Sequence, residues 1–533
     1  MIISPRRGVA QPGRALSSGG RGREFKSRHP DQNTNPAFLA GLPQPCRLQP
    51  RHFQILRRVS MSSTTDQALS PAAAEIAELI RRSRAAQHAI EHYTQEQVDD
   101  LIRAMVWSVA RPGVAEDIAQ FTVDETQLGN YAGKFLKIQR KTRATLMDII
   151  HDQSVGILEE DVERNLIKIA KPMGVIGALS PSTNPEATPV IKAIHAVKGR
   201  NAIIVAPHPR AKLTNKKICD LMRAALEKLG APADLVIGIE TPSLELTNEL
   251  MRQCDRVLAT GGGAMVTAAY SSGTPALGVG VGNAVITVDD TADLDDAATK
   301  IHLSKTLDLA ASCSSDNSVI LVESIYDDMI AKLQAKGGYL CNAEEKQKLQ
   351  KTLWDDEGHF NTTIVAQTAA KIAEMAGLTV PEGTEFYIVI ESGWGAEFPF
   401  SGEKLSVIMA LYRASDLDHA IELTNNIQSY QGQGHSCGIY SSSDDNIMKL
   451  ANATRTSRVM VNQPQAASNS GNLWNGMRQT FSLGCGSWGG NGTNNNISWR
   501  DLINETWISK PLIKSKELPS DTELFGDIIE KLG

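Results

Sequence analysis

The sequence has little of what marks several special classes of protein. Cysteine is scarce, with seven among 533 residues and no CxxC pair, so neither a disulfide framework nor a zinc-ligand pattern is present. No apolar run approaches the ~18 residues of a membrane-spanning helix, and no repeat of about 20 to 50 residues is found. The net charge of −6 does not indicate a nucleic-acid surface. We therefore expect a cytoplasmic globular protein without a metal, a membrane partner or a nucleic-acid partner.

Acidic residues are nearly absent from residues 1–60, which hold eleven Lys and Arg against Glu24 and Asp31. This segment is rich in Gly, Pro, Ser and Arg without a hydrophobic period, so we expect a disordered basic extension. An organelle transit peptide is one interpretation, and nucleic-acid binding by this segment alone is another. Residues 25–30 back-translate to a transfer-RNA T-loop, which favours a reading frame extended through such a gene. We predict that the native protein begins at Met61.

The remaining chain changes period several times. Apolar residues at helical spacing predict an N-terminal helical part over residues 61–150, and a strand–turn–strand pattern predicts a hairpin arm over 151–172. Strands then alternate with helices over 173–300, which predicts parallel βαβ units and a doubly wound nucleotide-binding domain. A second α/β domain is expected over 301–464. Residues 465–533 are predicted to form a Gly/Asn-rich surface loop or lid and a C-terminal segment.

The candidate nucleophile is Cys313. It lies between small polar residues, after a predicted helix and before the apolar run 319–322, so it is on a connection where side chains reach substrates. A buried structural cysteine is the alternative interpretation. The hydroxyl-rich neighbours Ser312 and Ser314 favour a reactive thiol.

Two motif matches fail on their context. Residues 434–438 match GxSxG, but a hydrolase elbow requires strand, turn and helix, whereas here a polar stretch precedes and a predicted strand follows. A serine hydrolase is therefore disfavoured. Residues 484–489 match GxGxxG, but Asn-rich sequence follows where a dinucleotide-binding helix is needed.

Four ordered segments together resemble the aldehyde dehydrogenase superfamily. They are Pro-Ser-Thr-Asn-Pro (181–185), Thr-Gly-Gly (260–262), Ser-Cys (312–313) and Glu-Lys-Leu-Ser (403–406). Residues 207–212 and 484–491 further resemble the CoA-acylating branch of that family. The resemblance spans roughly residues 70–510. It implies an aldehyde dehydrogenase-like α/β fold with a doubly wound cofactor domain, a second α/β catalytic domain and a β-hairpin oligomerisation arm.

The resemblance also implies roles for matching residues. Cys313 corresponds to the nucleophile that attacks the aldehyde, and Asn184 to the amide that binds the developing oxyanion; an Asx-turn residue before proline is the alternative for Asn184. Thr260, Gly261 and Gly262 correspond to the pyrophosphate turn. Glu403 corresponds to the carboxylate that holds the nicotinamide ribose. The arm and the C-terminal segment imply a homodimer or homotetramer.

One departure bears on the reaction. Hydrolytic relatives carry a glutamate that activates water, but the matching region 277–283 has no acidic residue. An external thiol is then the better acceptor, so the expected reaction is aldehyde, CoA and NAD(P)+ giving acyl-CoA and NAD(P)H. A hydrolytic reaction remains the alternative. His435 is a candidate base for the CoA thiol, or a loop histidine with a structural hydrogen bond.

Cofactor and substrate follow less directly. His208, Arg210 and Lys212 suit a 2′-phosphate, so we expect NADP, with NAD as the alternative. The resemblance within the acylating branch favours sulfoacetaldehyde over acetaldehyde or succinate semialdehyde. The candidate donors to a sulfonate are Ser182, Thr183, Ser312 and Ser314, with a cation from the loop around Trp474, Asn475 and Arg478.

Overall fold

The computed structural model describes residues 69–533. The predictions of disorder and of a start at Met61 for the preceding segment lie outside the described residues. Within the described part, no helix is both long and apolar enough to cross a membrane. The described chain begins with a run of helices, and strands and helices then follow one another to its end.

The α-helices are α1 Pro71–Ala89, α2 Gln95–Ala110, α3 Val114–Thr126, α4 Tyr131–Leu136, α5 Arg143–Ile149, α6 Thr188–Lys198, α7 Lys212–Lys228, α8 Leu244–Gln253, α9 Gly263–Tyr270, α10 Leu294–Thr306, α11 Tyr326–Ala335, α12 Ala343–Leu353, α13 Ala369–Ala376, α14 Leu417–Tyr430, α15 Asp444–Ala453, α16 Gln465–Ser468, α17 Asp521–Phe525 and α18 Asp527–Leu532. One π-helical turn, Lys137–Thr142, joins α4 to α5.

The strands are β1 Ile157–Asp161, β2 Leu166–Pro172, β3 Val175–Ser180, β4 Ala202–Pro207, β5 Val236–Gly238, β6 Arg256–Thr260, β7 Ala276–Val279, β8 Ala284–Val288, β9 Asp316–Val322, β10 Gly338–Leu340, β11 Phe386–Ile390, β12 Ile408–Ala414, β13 Cys437–Tyr440, β14 Val459–Val461 and β15 Ile503–Ser509. Short 3-10 turns lie at Pro209–Ala211, Ala233–Leu235, Leu307–Ala310, Glu323–Ile325, Thr362–Ile364, Pro399–Ser401, Ser487–Gly489 and Trp499–Leu502.

A five-stranded parallel sheet in the order β5-β4-β3-β6-β7 forms the first half of the core. Its central strands are buried along their whole length, as expected for a sheet covered by helices on both faces. The sequence predicted four of these strands. The sequence analysis missed β7. This strand has only four residues, and it lies between a Ser/Gly/Thr/Pro turn and a Gly-rich segment, so its apolar pattern is too short to recognise.

A seven-stranded parallel sheet in the order β10-β11-β12-β9-β8-β13-β14 forms the second half. Strand β8 pairs in parallel with β9 and β13. The range 173–300 predicted for the nucleotide-binding domain includes β8, which the structure pairs in the seven-stranded sheet. The chain passes from one sheet to the other within the four residues 280–283. Two of these are glycines, and nothing in so short a segment indicates that the next strand belongs to another sheet.

The predicted hairpin is present as β1 and β2, joined antiparallel with β2 also pairing to β15 near the C-terminus. This three-stranded sheet is separate from the two parallel sheets. Its outer strand is exposed from residue 504 onward, with Trp507 56 % exposed. A sheet with so little cover of its own needs another surface to pack against.

The N-terminal helices begin at well-formed caps. Ser70 caps α1 ahead of Pro71, and Thr94 forms a capping box with Gln97 at the start of α2, each of which satisfies amides that a helix start leaves unpaired. Their apolar faces pack on the five-stranded sheet. Further along the chain, the π-turn that follows α4 reaches the carboxyl ends of the strands, where the candidate site lies.

The prediction of a surface loop after residue 464 is wrong in one respect. Much of this Gly/Asn-rich segment is irregular but buried, including Asn469, Cys485, Asn496 and Trp499. Its backbone is satisfied by side chains such as Arg458, which donates to the carbonyls of residues 484, 494 and 495. Neither of the two rejected motifs has the strand and helix that it would require: residues 434–438 run directly into β13.

Candidate active site

A cavity of about 790 Å³ opens where the carboxyl ends of β3, β4, β6 and β7 meet the loop that precedes β9. Ligands in parallel α/β sheets bind at these strand ends. Of the residues predicted from sequence, the cavity is lined by Ser182, Thr183, Asn184, His208, Thr260, Gly261, Gly262, Ser312, Cys313, Ser314 and Glu403. One cavity thus collects the candidate nucleophile, the candidate oxyanion donor and the candidate cofactor turn.

Cys313 lies on a tight turn between the 3-10 segment Leu307–Ala310 and β9. The Ser312 carbonyl accepts from the Ser315 amide at 3.1 Å, and the Ser312 hydroxyl accepts from the Ser314 amide at 3.2 Å. Within residues 69–533 the Cys313 amide has no backbone acceptor. Gly282 packs directly behind this turn: a Cβ there would lie 1.8 Å from the Cys313 carbonyl oxygen, so only glycine fits.

The Cys313 thiol is a weak acid in this resting arrangement. Burial raises its pKa to about 12, and the neighbouring Glu403 carboxylate acts in the same direction, whereas Arg458 opposes it. The side chain is partly exposed at the cavity surface, yet protein atoms surround the sulfur densely enough for desolvation to dominate. The nucleophile is therefore mostly protonated until something in the cavity stabilises negative charge.

Asn184 sits in the loop that follows β3. Its side-chain oxygen accepts from the Lys137 ammonium at 2.6 Å, and its side-chain nitrogen donates to the Thr183 hydroxyl at 3.1 Å. Because lysine has donors only, the amide oxygen must face it. The second N–H of Asn184 is thereby left for a ligand in the cavity, as an oxyanion donor requires.

A buried cluster of four charges surrounds that contact. Asp308 pairs with both Lys137 and Lys134, the latter at 2.9 Å, and Lys134 lies 3.7 Å from Glu186. Burial alone would raise the pKa of Asp308, but the two ammonium groups hold it below its usual range. Burial lowers the pKa of Lys137, against the pull of Asp308.

The backbone beside this cluster is strained. Asp308, Leu309 and Ala310 all have positive φ, from 49° to 61°, a region that non-glycine residues rarely adopt. The Asp308 carboxylate also accepts from the Asn130 amide at 2.9 Å. Such conformations persist only where surrounding contacts fix them, and here the fixed segment leads straight into Cys313.

The cluster was missed by the sequence analysis. Its signal is faint: Lys134, Lys137 and Lys141 recur at spacings of three and four on one helical stretch, a pattern that is usually a solvated face. The π-turn, which is common at functional sites, turns Lys137 and Lys141 to the same cavity.

The cofactor turn has unfilled hydrogen-bonding capacity. Thr260 ends β6, and Gly262 caps the N-terminus of α9. The hydroxyls of Thr260 and Ser180 are buried with no partner in the described chain. A Cβ at Gly262 would meet nothing within 4 Å, so its backbone borders open space, as close approach by a phosphate requires.

Glu403 lies across the cavity and accepts from the Gly282 amide at 3.1 Å. Burial raises its pKa to about 7. It is the one carboxylate that lines the cavity among residues 69–533. Residues 280 and 281, in the stretch without an acidic residue, line the same wall.

Four of the predicted site residues do not line this cavity: Arg210, Lys212, Arg478 and His435. Arg210 is exposed and donates to the Thr126 carbonyl at 2.9 Å. Arg478 pairs with Asp152 at 3.5 Å. His435 is fully buried and bonds the Ser436 hydroxyl at 2.8 Å, and burial lowers its pKa to about 3. Neither Arg478 nor His435 is therefore among the residues that line the cavity, and the histidine that lines it is His208.

Comparison with known proteins identifies the family. A profile described as "Aldehyde dehydrogenase family" matches residues 54–352. A sulfoacetaldehyde dehydrogenase from Acholeplasma sp. is 45 % identical over 457 residues, covering 85 % of this chain and 94 % of its own. This chain belongs to the aldehyde dehydrogenase family, in its CoA-acylating branch.

Two further comparisons agree with this placement. An acetylating succinate-semialdehyde dehydrogenase from Clostridium kluyveri is 40 % identical, covering 85 % of this chain and 99 % of its own. The crystal structure of an acetylating aldehyde dehydrogenase from Geobacillus thermoglucosidasius aligns with a TM-score of 0.80 at 34 % identity, over 84 % of this chain and 98 % of that one. The predicted fold class is confirmed.

Lys137→Met tests the orientation of Asn184. Without the ammonium, the amide oxygen of Asn184 loses its donor and Asp308 keeps only Lys134 as a partner, so kcat should fall at least about 100-fold, the usual effect of losing one oxyanion donor. The KM for CoA and for the nicotinamide cofactor should stay within about twofold, because binding far from the reacting carbonyl is intact.

The matched control is Lys371→Met, which removes an exposed lysine paired with Glu374 and should change neither kcat nor the thermal midpoint appreciably. Equal kcat in the two variants would contradict the role given to Lys137.

The thiol's acidity predicts a pH profile. A pKa raised to about 12 means that the thiolate fraction, and with it the rate of iodoacetamide labelling at Cys313, rises about tenfold per pH unit from about pH 7 to 9. Mass spectrometry of the labelled peptide, with Cys313→Ser as the background, measures this rate. A labelling rate that reaches a plateau below about pH 9 would show that the free enzyme stabilises the Cys313 thiolate, and it would refute the raised pKa of this thiol.

Proposed function

We propose that this enzyme oxidises sulfoacetaldehyde to sulfoacetyl-CoA, with hydride transfer to NADP+ and with CoA as the second substrate. The observation that carries the proposal is that one cavity collects Cys313, the Asn184 amide and the cofactor turn. Among the described residues, Glu403 is the one carboxylate that lines it. Identity of 45 % to a sulfoacetaldehyde dehydrogenase supports the choice of aldehyde.

The chemistry begins at Cys313. Its thiolate attacks the aldehyde carbon to give a thiohemiacetal, and the oxyanion accepts from the Cys313 amide and the free N–H of Asn184. Each such donor contributes about 3 kcal/mol to the transition state. Hydride loss from this adduct leaves a thioester on Cys313, and the CoA thiolate then displaces the enzyme sulfur.

The cofactor residues fit a dinucleotide. When bound, the nicotinamide ring supplies the hydride acceptor. Thr260, Gly261 and Gly262 would hold the pyrophosphate through the backbone at the N-terminus of α9, and Glu403 would hold the ribose. His208 lines the cavity and would meet a 2′-phosphate. Arg210 and Lys212 follow it just outside the lining, and this basic segment favours NADP+ over the alternative, NAD+.

Transfer to CoA rather than to water follows from the cavity walls. In hydrolytic relatives a glutamate activates water, and the matching wall here offers glycine and valine. Glu403, the one carboxylate that lines the cavity in the described chain, accepts from the Gly282 amide and is assigned to the ribose. An external thiol, a far better nucleophile than water, is the favoured acceptor.

A panel of aldehydes assayed with and without CoA tests the reaction. With CoA, NADPH formation should show the highest kcat/KM for sulfoacetaldehyde; without CoA, turnover should stop after about one equivalent per site, since the thioester has no acceptor. Cys313→Ala should abolish the reaction, and Ser436→Ala should leave it largely intact.

Each outcome of that panel has a distinct meaning. Full turnover without CoA would establish hydrolysis. A much higher kcat/KM for acetaldehyde or succinate semialdehyde would replace the substrate and leave the acylating mechanism standing. A higher kcat/KM with NAD+ than with NADP+ would reverse the cofactor assignment.

We further propose that the enzyme is a homodimer or homotetramer, assembled through the three-stranded sheet β1-β2-β15. Trp507 is 56 % and Ile508 39 % exposed on its outer strand, an apolar surface that water would otherwise meet. Light scattering should give a mass at least twice that of one chain, and Trp507→Asp should lower it. A monomer mass for the unaltered protein would overturn the proposal.

A further inference from the structure

Lys141 stands apart from every other lysine of the site. It lies on the π-turn Lys137–Thr142, lines the cavity, and donates to the carbonyls of Ala467, at 3.3 Å, and Gly471. Among residues 69–533 no carboxylate pairs with it, whereas Lys134 and Lys137 share Asp308. Two carbonyls occupy two of its three N–H donors, and one is left for the cavity.

The absence of a counter-charge is costly unless something supplies one. An ammonium removed from water is unfavourable without an anion, and burial together with the nearby Lys137 lowers the pKa of Lys141 to about 7. Protein groups in the described chain provide only carbonyl dipoles. An anionic ligand in the cavity would complete the pairing that the protein leaves open.

The position of Lys141 matches a short anionic aldehyde. Lys137 touches both the Asn184 amide and the Ala311 carbonyl, two residues before the nucleophile. Lys141 follows four residues later on the same π-turn and lines the same cavity. In sulfoacetaldehyde the sulfur is only two bonds from the aldehyde carbon, so the sulfonate and the reacting carbonyl must occupy the same cavity.

The other cations of the region are committed elsewhere. Arg478 is bound to Asp152 outside the cavity, and Lys137 is neutralised by Asp308. Ser470 directly precedes Gly471, whose carbonyl Lys141 binds, and it lines the same cavity, where it offers a hydroxyl.

We propose that Lys141 binds the anionic end of the substrate and thereby gives the enzyme its preference for sulfonated over uncharged aldehydes. The proposal rests on the proposed function for its substrate, and it names the residue that recognises the sulfonate. Succinate semialdehyde also carries one negative charge, on a carboxylate at the end of a longer carbon chain, so Lys141 could bind it in the same way.

The test compares Lys141→Met and Lys141→Arg with the unaltered enzyme on sulfoacetaldehyde, succinate semialdehyde and propionaldehyde, each with CoA and NADP+. In Lys141→Met, kcat/KM should fall at least ~10-fold more for sulfoacetaldehyde than for propionaldehyde, because only the sulfonate loses its cation. Lys141→Arg keeps the charge and should retain most of the discrimination between the two aldehydes.

Equal losses on all three aldehydes in Lys141→Met would mean that Lys141 only supports the loop through Ala467 and Gly471, and would overturn the inference. If the methionine variant does not fold, Lys141→Gln, which keeps a donor to the two carbonyls, carries the same comparison. Competitive inhibition by ethanesulfonate against propionaldehyde gives a second readout: it should be strong in the unaltered and arginine enzymes and weak in the glutamine variant.

Failure of the substrate assignment is distinguishable from failure of this inference. The first appears in the unaltered enzyme alone, as a low kcat/KM for sulfoacetaldehyde. Failure of the role given to Lys141 appears only when the variants are compared, as an unchanged preference for anionic over uncharged aldehydes. If sulfoacetaldehyde proves a poor substrate, succinate semialdehyde as substrate or ethanesulfonate as inhibitor still measures that preference.

Discussion

The Asp308 carboxylate, held between the ammonium groups of Lys134 and Lys137, is the interaction on which the site depends. It fixes three successive residues in the left-handed region just before Cys313, at a cost of about 1 to 3 kcal/mol for each strained residue. Gly129 and Gly133 pack against it so closely that a Cβ at either would lie 2.0 to 2.5 Å from an Asp308 atom. Removing one member of a buried ion pair typically costs about 3 to 5 kcal/mol, so geometry and charge reinforce one another here.

The same cluster orients the opposite side of the site. Lys137 bridges Asp308 on the nucleophile segment and Asn184 on the loop after β3, two segments that come from different sheets. One ammonium therefore sets the distance between the thiol turn and the oxyanion donor. Preorganisation of this kind lets a donor act without reorganising during the reaction.

The sequence was most informative where motif and topology coincide. Asn184 follows β3 and Thr260 ends β6, and the carboxyl ends of these strands must lie at one edge of a parallel sheet, so their proximity was predictable from topology. Their convergence with Cys313 and Glu403 was implied by the family resemblance. Sheet membership of β8 was not, because apolar strands in two buried parallel sheets have the same pattern.

Three predicted site residues that lie outside the cavity are held by other contacts. Arg210 and Arg478 were predicted as cations and His435 as a base, but none of them lines the cavity. Arg478 turns to Asp152, Arg210 turns to the Thr126 carbonyl, and His435 is buried. A loop residue's direction depends on contacts that are distant in sequence, which a single sequence does not reveal.

Lys137 and Lys141 lie on the same π-turn but are given different roles, one in positioning Asn184 and the other in binding an anion. They are four residues apart, both line the cavity, and both lose solvation there, yet only Lys137 has a carboxylate partner. A neutralised ammonium is suited to orienting a neutral amide, since it adds no net charge that would compete for an anionic substrate. An ammonium with carbonyl partners alone has no counter-charge from the described chain, so it is suited to pairing with an anion. The π-turn that presents both lysines to one cavity thus separates positioning from recognition by a difference in counter-charge alone.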